Sequence, residues 1–161
     1  MTTPEYNHCV DQFSDGVYRF VLKNIRDEES ARDVVQESFT RMWEKVKEVS
    51  FEKAKSYLFT TAYHTMIDML RKENRLTSYE EQSHGKETIE NSYSDLKEVL
   101  NLAVEKLSDV QRSVLLLRDY EGYSYEEIGR ITGLSESQVK VYIYRARVAL
   151  KEYIRKPELV I

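Results

Sequence analysis

Apolar residues recur every three or four positions along most of this chain, the spacing of amphipathic helices rather than the alternation of half-buried strands. The clearest case is positions 31–46. There Ala31, Val34, Val35, Phe39, Met42, Trp43 and Val46 form the stripe, and Asp33, Gln36, Glu37, Thr40 and Arg41 form the opposite face. Positions 4–24 place Val10, Phe13, Val17, Phe20 and Val21 on one side of an earlier helix. After a break at 50–53, a third helix over 54–74 carries Leu58, Ala62, Met66 and Leu70, with Phe59, Ile67 and Met69 beside them. Positions 77–93 hold few aliphatic side chains and no lasting period, and they read as a linker. The period resumes with Leu96, Val99, Leu100, Ala103, Val104 and Leu107, then with Val110, Val114, Leu115 and Leu117. The expected fold is all-α: two small helical domains, 1–76 and 94–161, joined by a flexible linker, the second a four-helix module. Lys156, Pro157 and an apolar LVI tail, which can dock or fray, end the chain.

Residues 124–150 spell two short helices and a tight turn. Ser124 with Glu127, and Ser135 with Gln138, fit the capping box, in which a hydroxyl and a side chain three residues on satisfy the free amides of a helix start. Ser108 with Gln111 fits the same pattern one helix earlier. Gly133 falls where the first helix must stop, and glycine enters the left-handed conformation without steric cost. Gly129 supplies a very small residue where the two helices approach. In the second helix Val139, Ile143, Ala146 and Leu150 share one face, while Ser137, Lys140, Val141, Tyr144, Arg145 and Lys151 lie away from it. This is the pattern of a helix-turn-helix, whose second helix enters the major groove.

Charge strengthens that reading. Positions 136–156 hold six Lys or Arg against two Glu, a balance of plus four in a chain whose net charge is minus four. Positive charge concentrated at one end suits a phosphate-binding surface. Five Gly and two Pro in 161 residues argue against a turn-rich sheet protein. The single cysteine, Cys9, has no partner for a disulfide, and no His or Cys stands near it at metal-ligand spacing beyond its neighbour His8. No apolar run approaches the roughly 18 residues that cross a bilayer, and the start lacks signal-peptide character, so a cytoplasmic protein without membrane insertion is expected. His8, His64 and His84 fall in no catalytic spacing, and no glycine-rich phosphate loop is present, so neither an enzyme, a cofactor nor a small-molecule substrate is expected.

The third helix is unusual away from its apolar stripe. Tyr57, Tyr63 and His64 interleave with Ser56, Thr60, Thr61 and Thr65, and its end turns basic at Arg71, Lys72 and Arg75. Aromatic faces stack on unpaired bases while cations hold the backbone, so this helix can grip single-stranded DNA. The same residues also fit a plainer role, tyrosines at the rim of a core and cations at a helix C-terminus.

The order of parts resembles the extracytoplasmic-function (ECF) group of bacterial RNA polymerase sigma factors. The segments that carry the resemblance are ARDVVQESFTRMW at 31–43, AKSYLFTTAYHTMIDMLRKENR at 54–75, and LSDVQRSVLLLRDYEGYSYEEIGRITGLSESQVKVYIYRARVAL at 107–150. The resemblance implies core RNA polymerase and promoter DNA as partners, and an anti-sigma factor is compatible with it. Asp33, Gln36, Glu37 and Arg41 look like the surface that holds the clamp helices of the polymerase's largest subunit. Phe51, Lys53, Tyr57, Tyr63, His64, Asp68, Arg71 and Arg75 look like the residues that take the flipped base and non-template strand of the minus 10 element. Ser135, Glu136, Ser137, Gln138, Lys140, Val141, Tyr144 and Arg145 would face the minus 35 element. Two positions depart from the family pattern: His64 stands where Asn is common, and Tyr142 where Arg is common. The competing reading is a dimeric helix-turn-helix regulator on a palindromic operator, which predicts a two-fold symmetric complex.

Overall fold

A computed structural model of the chain describes residues 1–80 and 96–155; the rest of the expected linker, 81–93, and the tail after Arg155 lie outside the described residues. The described residues form seven α-helices and no strand: α1 (Thr3–Ile25), α2 (Glu28–Glu44), α3 (Ala54–Glu80), α4 (Leu96–Glu105), α5 (Asp109–Asp119), α6 (Tyr125–Thr132) and α7 (Glu136–Arg155). A short 3-10 turn, Phe51–Lys53, leads into α3. Side chains cap the helix starts, as expected for Ser108 and, beyond what is read from the sequence, at Thr2 and Asp27. Thr2 and Glu5 close a capping box on α1, Asp27 accepts from the Ser30 amide at the start of α2, and Ser108 accepts from the Gln111 amide at the start of α5.

Two expectations need correction. Helix α3 runs to Glu80, so positions 77–80 are helical rather than linker. No Gly or Pro occurs between Ala54 and Glu80 to stop it. Trp43 falls on the periodic stripe of α2 yet stays 46% exposed. It lies at the last turn of α2, where its ring meets the edge of Tyr6 at 5.0 Å instead of entering the core.

Helices α1–α3 pack as one body and α4–α7 as a second, and the two bodies touch through α1 with α5 and α3 with α5 and α6. Their apolar side chains pool into one continuous core, running from Val17, Phe20 and Met42 through Phe59 and Met66 to Leu116, Ile128 and Ile143. A buried polar knot fastens the seam. Asn24 Oδ1 accepts from Arg112 Nε at 3.1 Å and from Ser113 Oγ at 3.0 Å, while Asn24 Nδ2 donates to the Phe20 carbonyl at 2.8 Å. The remaining Arg112 donors reach the Leu107 carbonyl and Asp109, so a guanidinium that is only 6% exposed has its hydrogen bonds met. Ion pairs Arg19–Glu121 and Arg26–Glu105 flank the knot at 3.1 and 3.0 Å. Periodicity gives no warning of this docking, because its partners stand about a hundred positions apart in the chain.

Candidate nucleic-acid interface

The α6–α7 pair is a helix-turn-helix in its details. Ser124 Oγ accepts from the Glu127 amide at 3.1 Å and the Glu127 carboxylate accepts from the Ser124 amide at 2.8 Å. The Ser124 amide, and after it the Ser124 side chain, favour the ionised Glu127 carboxylate and hold its carboxyl below the usual range. Gly133 ends α6 with φ 84, the left-handed conformation its position requires. Ser135 and Gln138 exchange the same reciprocal pair at the start of α7. The role of Gly129 is sharper than a helix crossing: a Cβ there would stand 2.8 Å from the Leu134 carbonyl oxygen, so the turn itself needs the hydrogen.

On α7, Val139, Ile143 and Ala146 are buried and Leu150 is half-buried. All eight residues expected to face duplex (Ser135, Glu136, Ser137, Gln138, Lys140, Val141, Tyr144 and Arg145) are exposed, Tyr144 at 69%. Val148 extends the exposed apolar ridge of Val141 and Tyr144 by another turn. Arg118 and Lys140 stand 4.4 and 5.6 Å from the Tyr125 ring centre, setting two cations at the edge of the same surface. Arg147 differs from its basic neighbours. It is tied at 2.7 Å to Asp119 of α5, and that hydrogen bond favours its charged form, so its charge is shared with the fold.

The α3 face is divided. Lys53, His64, Asp68, Arg71 and Arg75 are exposed, and Phe51 and Tyr57 are half-buried, Phe51 against the His8 ring at 5.7 Å. Tyr57, His64, Asp68, Arg71 and Arg75 follow helical spacing and share a side of α3. Tyr63 does not belong with them. It is 5% exposed and follows the buried stripe of Phe59, Met66 and Leu70, a spacing legible in the sequence. Its phenol is pushed to higher pKa by burial, Arg71 acts the other way, and Asp109 and Tyr142 from the second body add to the rise. In this arrangement the Tyr63 ring is closed to a base. The same contacts locate Tyr142: it is half-buried towards the first body rather than on the exposed face of α7.

On α2, Asp33, Gln36, Glu37 and Arg41 are exposed and, with Thr40 and Glu44, line a shallow concave patch. Glu37 and Arg41 pair across one turn.

Family models match both halves of the chain. The Sigma-70 region 2 model matches residues 9–76, covering most of α1 to α3, and the Sigma-70, region 4 model matches residues 97–150, which takes in the helix-turn-helix. The chain is 30% identical over 145 residues to the ECF RNA polymerase sigma factor SigM of Bacillus subtilis, covering 86% of this chain and 88% of that one. This chain belongs to the ECF RNA polymerase sigma factors. A sigma factor directs RNA polymerase to promoters, and the region 2 match occupies the half that a dimeric operator-binding regulator would leave without a role. A second relative, the RNA polymerase sigma factor SigV of Bacillus subtilis, is 29% identical and covers 94% of this chain and 92% of its own. In fold, the sigma factor resembles RpoE of Bartonella quintana, solved in complex with the anti-sigma factor NepR, with a TM-score of 0.77, 22% identity, and coverage of 94% of this chain and 98% of that one. No helix among the described residues is long and apolar enough to cross a membrane.

Proposed function

We propose that the sigma factor divides promoter recognition between its two bodies. Helix α7 lies in duplex at the minus 35 element, with Lys140 and Arg145 on phosphate and Ser137, Gln138, Val141 and Tyr144 towards base edges. The 3-10 turn and α3 hold the melted minus 10 strand through Phe51, Lys53, Tyr57, His64, Asp68, Arg71 and Arg75, joined by Tyr63 when it is uncovered. The α2 face of Asp33, Gln36, Glu37 and Arg41 docks the polymerase. The protein acts without catalytic chemistry. Opening a duplex costs stacking and pairing energy, and a factor that hydrolyses nothing offsets it only by binding the opened form better.

The observation that supports this reading most is α7, where every residue assigned to duplex is exposed and the stripe behind it is buried. Net charge adds a second argument. A chain of net charge minus four neutralises few phosphates, so the free protein binds promoters poorly and requires core polymerase. An anti-sigma factor is a further expected partner, as for the Bartonella quintana protein. Run-off transcription from a promoter library, with core polymerase plus or minus the protein, tests the assignment. Lys140→Ala or Arg145→Ala should weaken use of the upstream element, and His64→Ala or Arg71→Ala should slow opening more than initial binding. Equal effects of both kinds of change on every step would refute the division.

A further inference from the structure

The first turn of α7 fixes the chemistry that its exposed face can offer. The Ser135 amide donates to Gln138 Oε1 at 2.9 Å, and an N–H is met only by the oxygen of a carboxamide, so this bond decides which way the group is turned. The Gln138 amide returns to Ser135 Oγ at 3.1 Å and closes the box. Gln138 itself is exposed. What its side chain keeps for a ligand is therefore the Nε2 amino group, which donates and cannot accept. The carboxylate beside it is engaged as well, since Glu136 pairs with Lys140 at 3.7 Å across one turn. Three residues on from Gln138 along the same face stands Val141, 45% exposed, at a position where side chains meet with Cβ atoms about 5 to 6 Å apart.

A glutamine free at both ends takes adenine, whose N6 amino group needs an acceptor and whose N7 needs a donor. Gln138 lacks the acceptor half while its box is closed. It presents a donor next to an aliphatic side chain, and the bases differ in how they answer that pair. Guanine shows acceptors and no methyl group, cytosine shows an amino donor, and thymine shows the O4 acceptor beside its C5 methyl group. We propose that Gln138 and Val141 together select a thymine in the minus 35 element, with O4 accepting from Gln138 Nε2 and the methyl lying against the valine. The inference rests on the duplex role proposed above for α7 and names a base that this role reads. Its selectivity comes from a helix cap: the oxygen that would admit adenine is held by the Ser135 amide.

Gln138→Glu separates the two tasks of this side chain. Glutamate also closes a capping box, so the helix start is kept, while the amino donor gives way to an acceptor. Run-off transcription with core polymerase, from promoters randomised across the minus 35 element, reads the result. Wild type should enrich thymine at one position at least about fivefold over each other base. Gln138→Glu should lose that enrichment in favour of adenine or cytosine, which carry an amino donor there, with its unfolding curve unchanged. Gln138→Ala, which adds no charge, should lose the thymine enrichment as well. Deoxyuridine at that position removes the methyl group alone; it should lower wild-type output about threefold and make no difference to Val141→Ala. A wild type without such a position, a thymine enrichment that survives both changes at Gln138, or deoxyuridine used as well as thymine overturns the inference. Lys140→Ala and Arg145→Ala tell its failure from that of the duplex role. If they weaken upstream-element use while the Gln138 variants keep every base preference, thymine selection alone falls; if they too change nothing, the duplex role of α7 falls with it.

Discussion

On α7 the side chains proposed to face DNA and those that hold the fold lie on opposite sides of one helix, whereas on α3 they meet along a seam with the second body. Val139, Ile143 and Ala146 are buried without touching the freedom of Lys140, Tyr144 or Arg145. On α3, Tyr63 is both a core residue and a neighbour of the exposed His64, whose ring it meets at 5.2 Å. The surface proposed to read duplex is therefore exposed, whereas the surface proposed to hold the melted strand has one of its members, Tyr63, covered.

That contrast can be broken by mutation. The largest effect belongs to Tyr63→Ala, which empties a buried aromatic site and should cost about 3 kcal/mol in denaturant unfolding. A cost near zero would mean that the ring spends its time in solvent and that the two faces do not differ. Gly129→Val forces a side chain against the Leu134 carbonyl and should cost about 2 kcal/mol, with upstream-element use lost as α6 and α7 are pushed apart. Ser124→Ala removes one capping bond and should lower stability by about 1 kcal/mol, seen as a fall in Tm. Acidification acts on the other half of that box. Because the Glu127 carboxyl is held below its ordinary pKa, its contribution is full above the usual glutamate range and fades as pH drops through the lowered value. The fade should be small, since Glu127 is exposed, and absent from Glu127→Gln in a pH series of unfolding curves. Tyr144→Ala should be the quietest in stability, within about 0.5 kcal/mol, while weakening duplex contact. A large stability loss there would show that α7 also mixes its two tasks.

The parts legible in the sequence are those decided within one or two helical turns. Ser124 with Glu127, Ser135 with Gln138 and Gly133 announce the helix-turn-helix, and each adopts the geometry its residue type favours. The buried stripes of α1, α3 and α7 follow from spacing alone. Asn24, Arg112 and Ser113 were not legible, because a polar residue inside a periodic segment looks solvated until its distant partner is known. Arg112 has the composition of a surface residue and the surroundings of a core one. Tyr63 misleads in the opposite way. Its neighbours His64 and Thr61 suggest a functional face, and only its register with Phe59 and Met66 assigns it to the interior. The docking of the two bodies was illegible for a related reason: a linker with no period says nothing about whether its ends are held together.

Trp43, the chain's single tryptophan, stands at the end of α2 beside the patch assigned to the polymerase. A half-solvated indole shifts its ultraviolet emission when a large partner displaces the water around it. Capture by the enzyme can therefore be timed on unlabelled protein by stopped-flow optics, and the signal will be blind to events at the far end of α7.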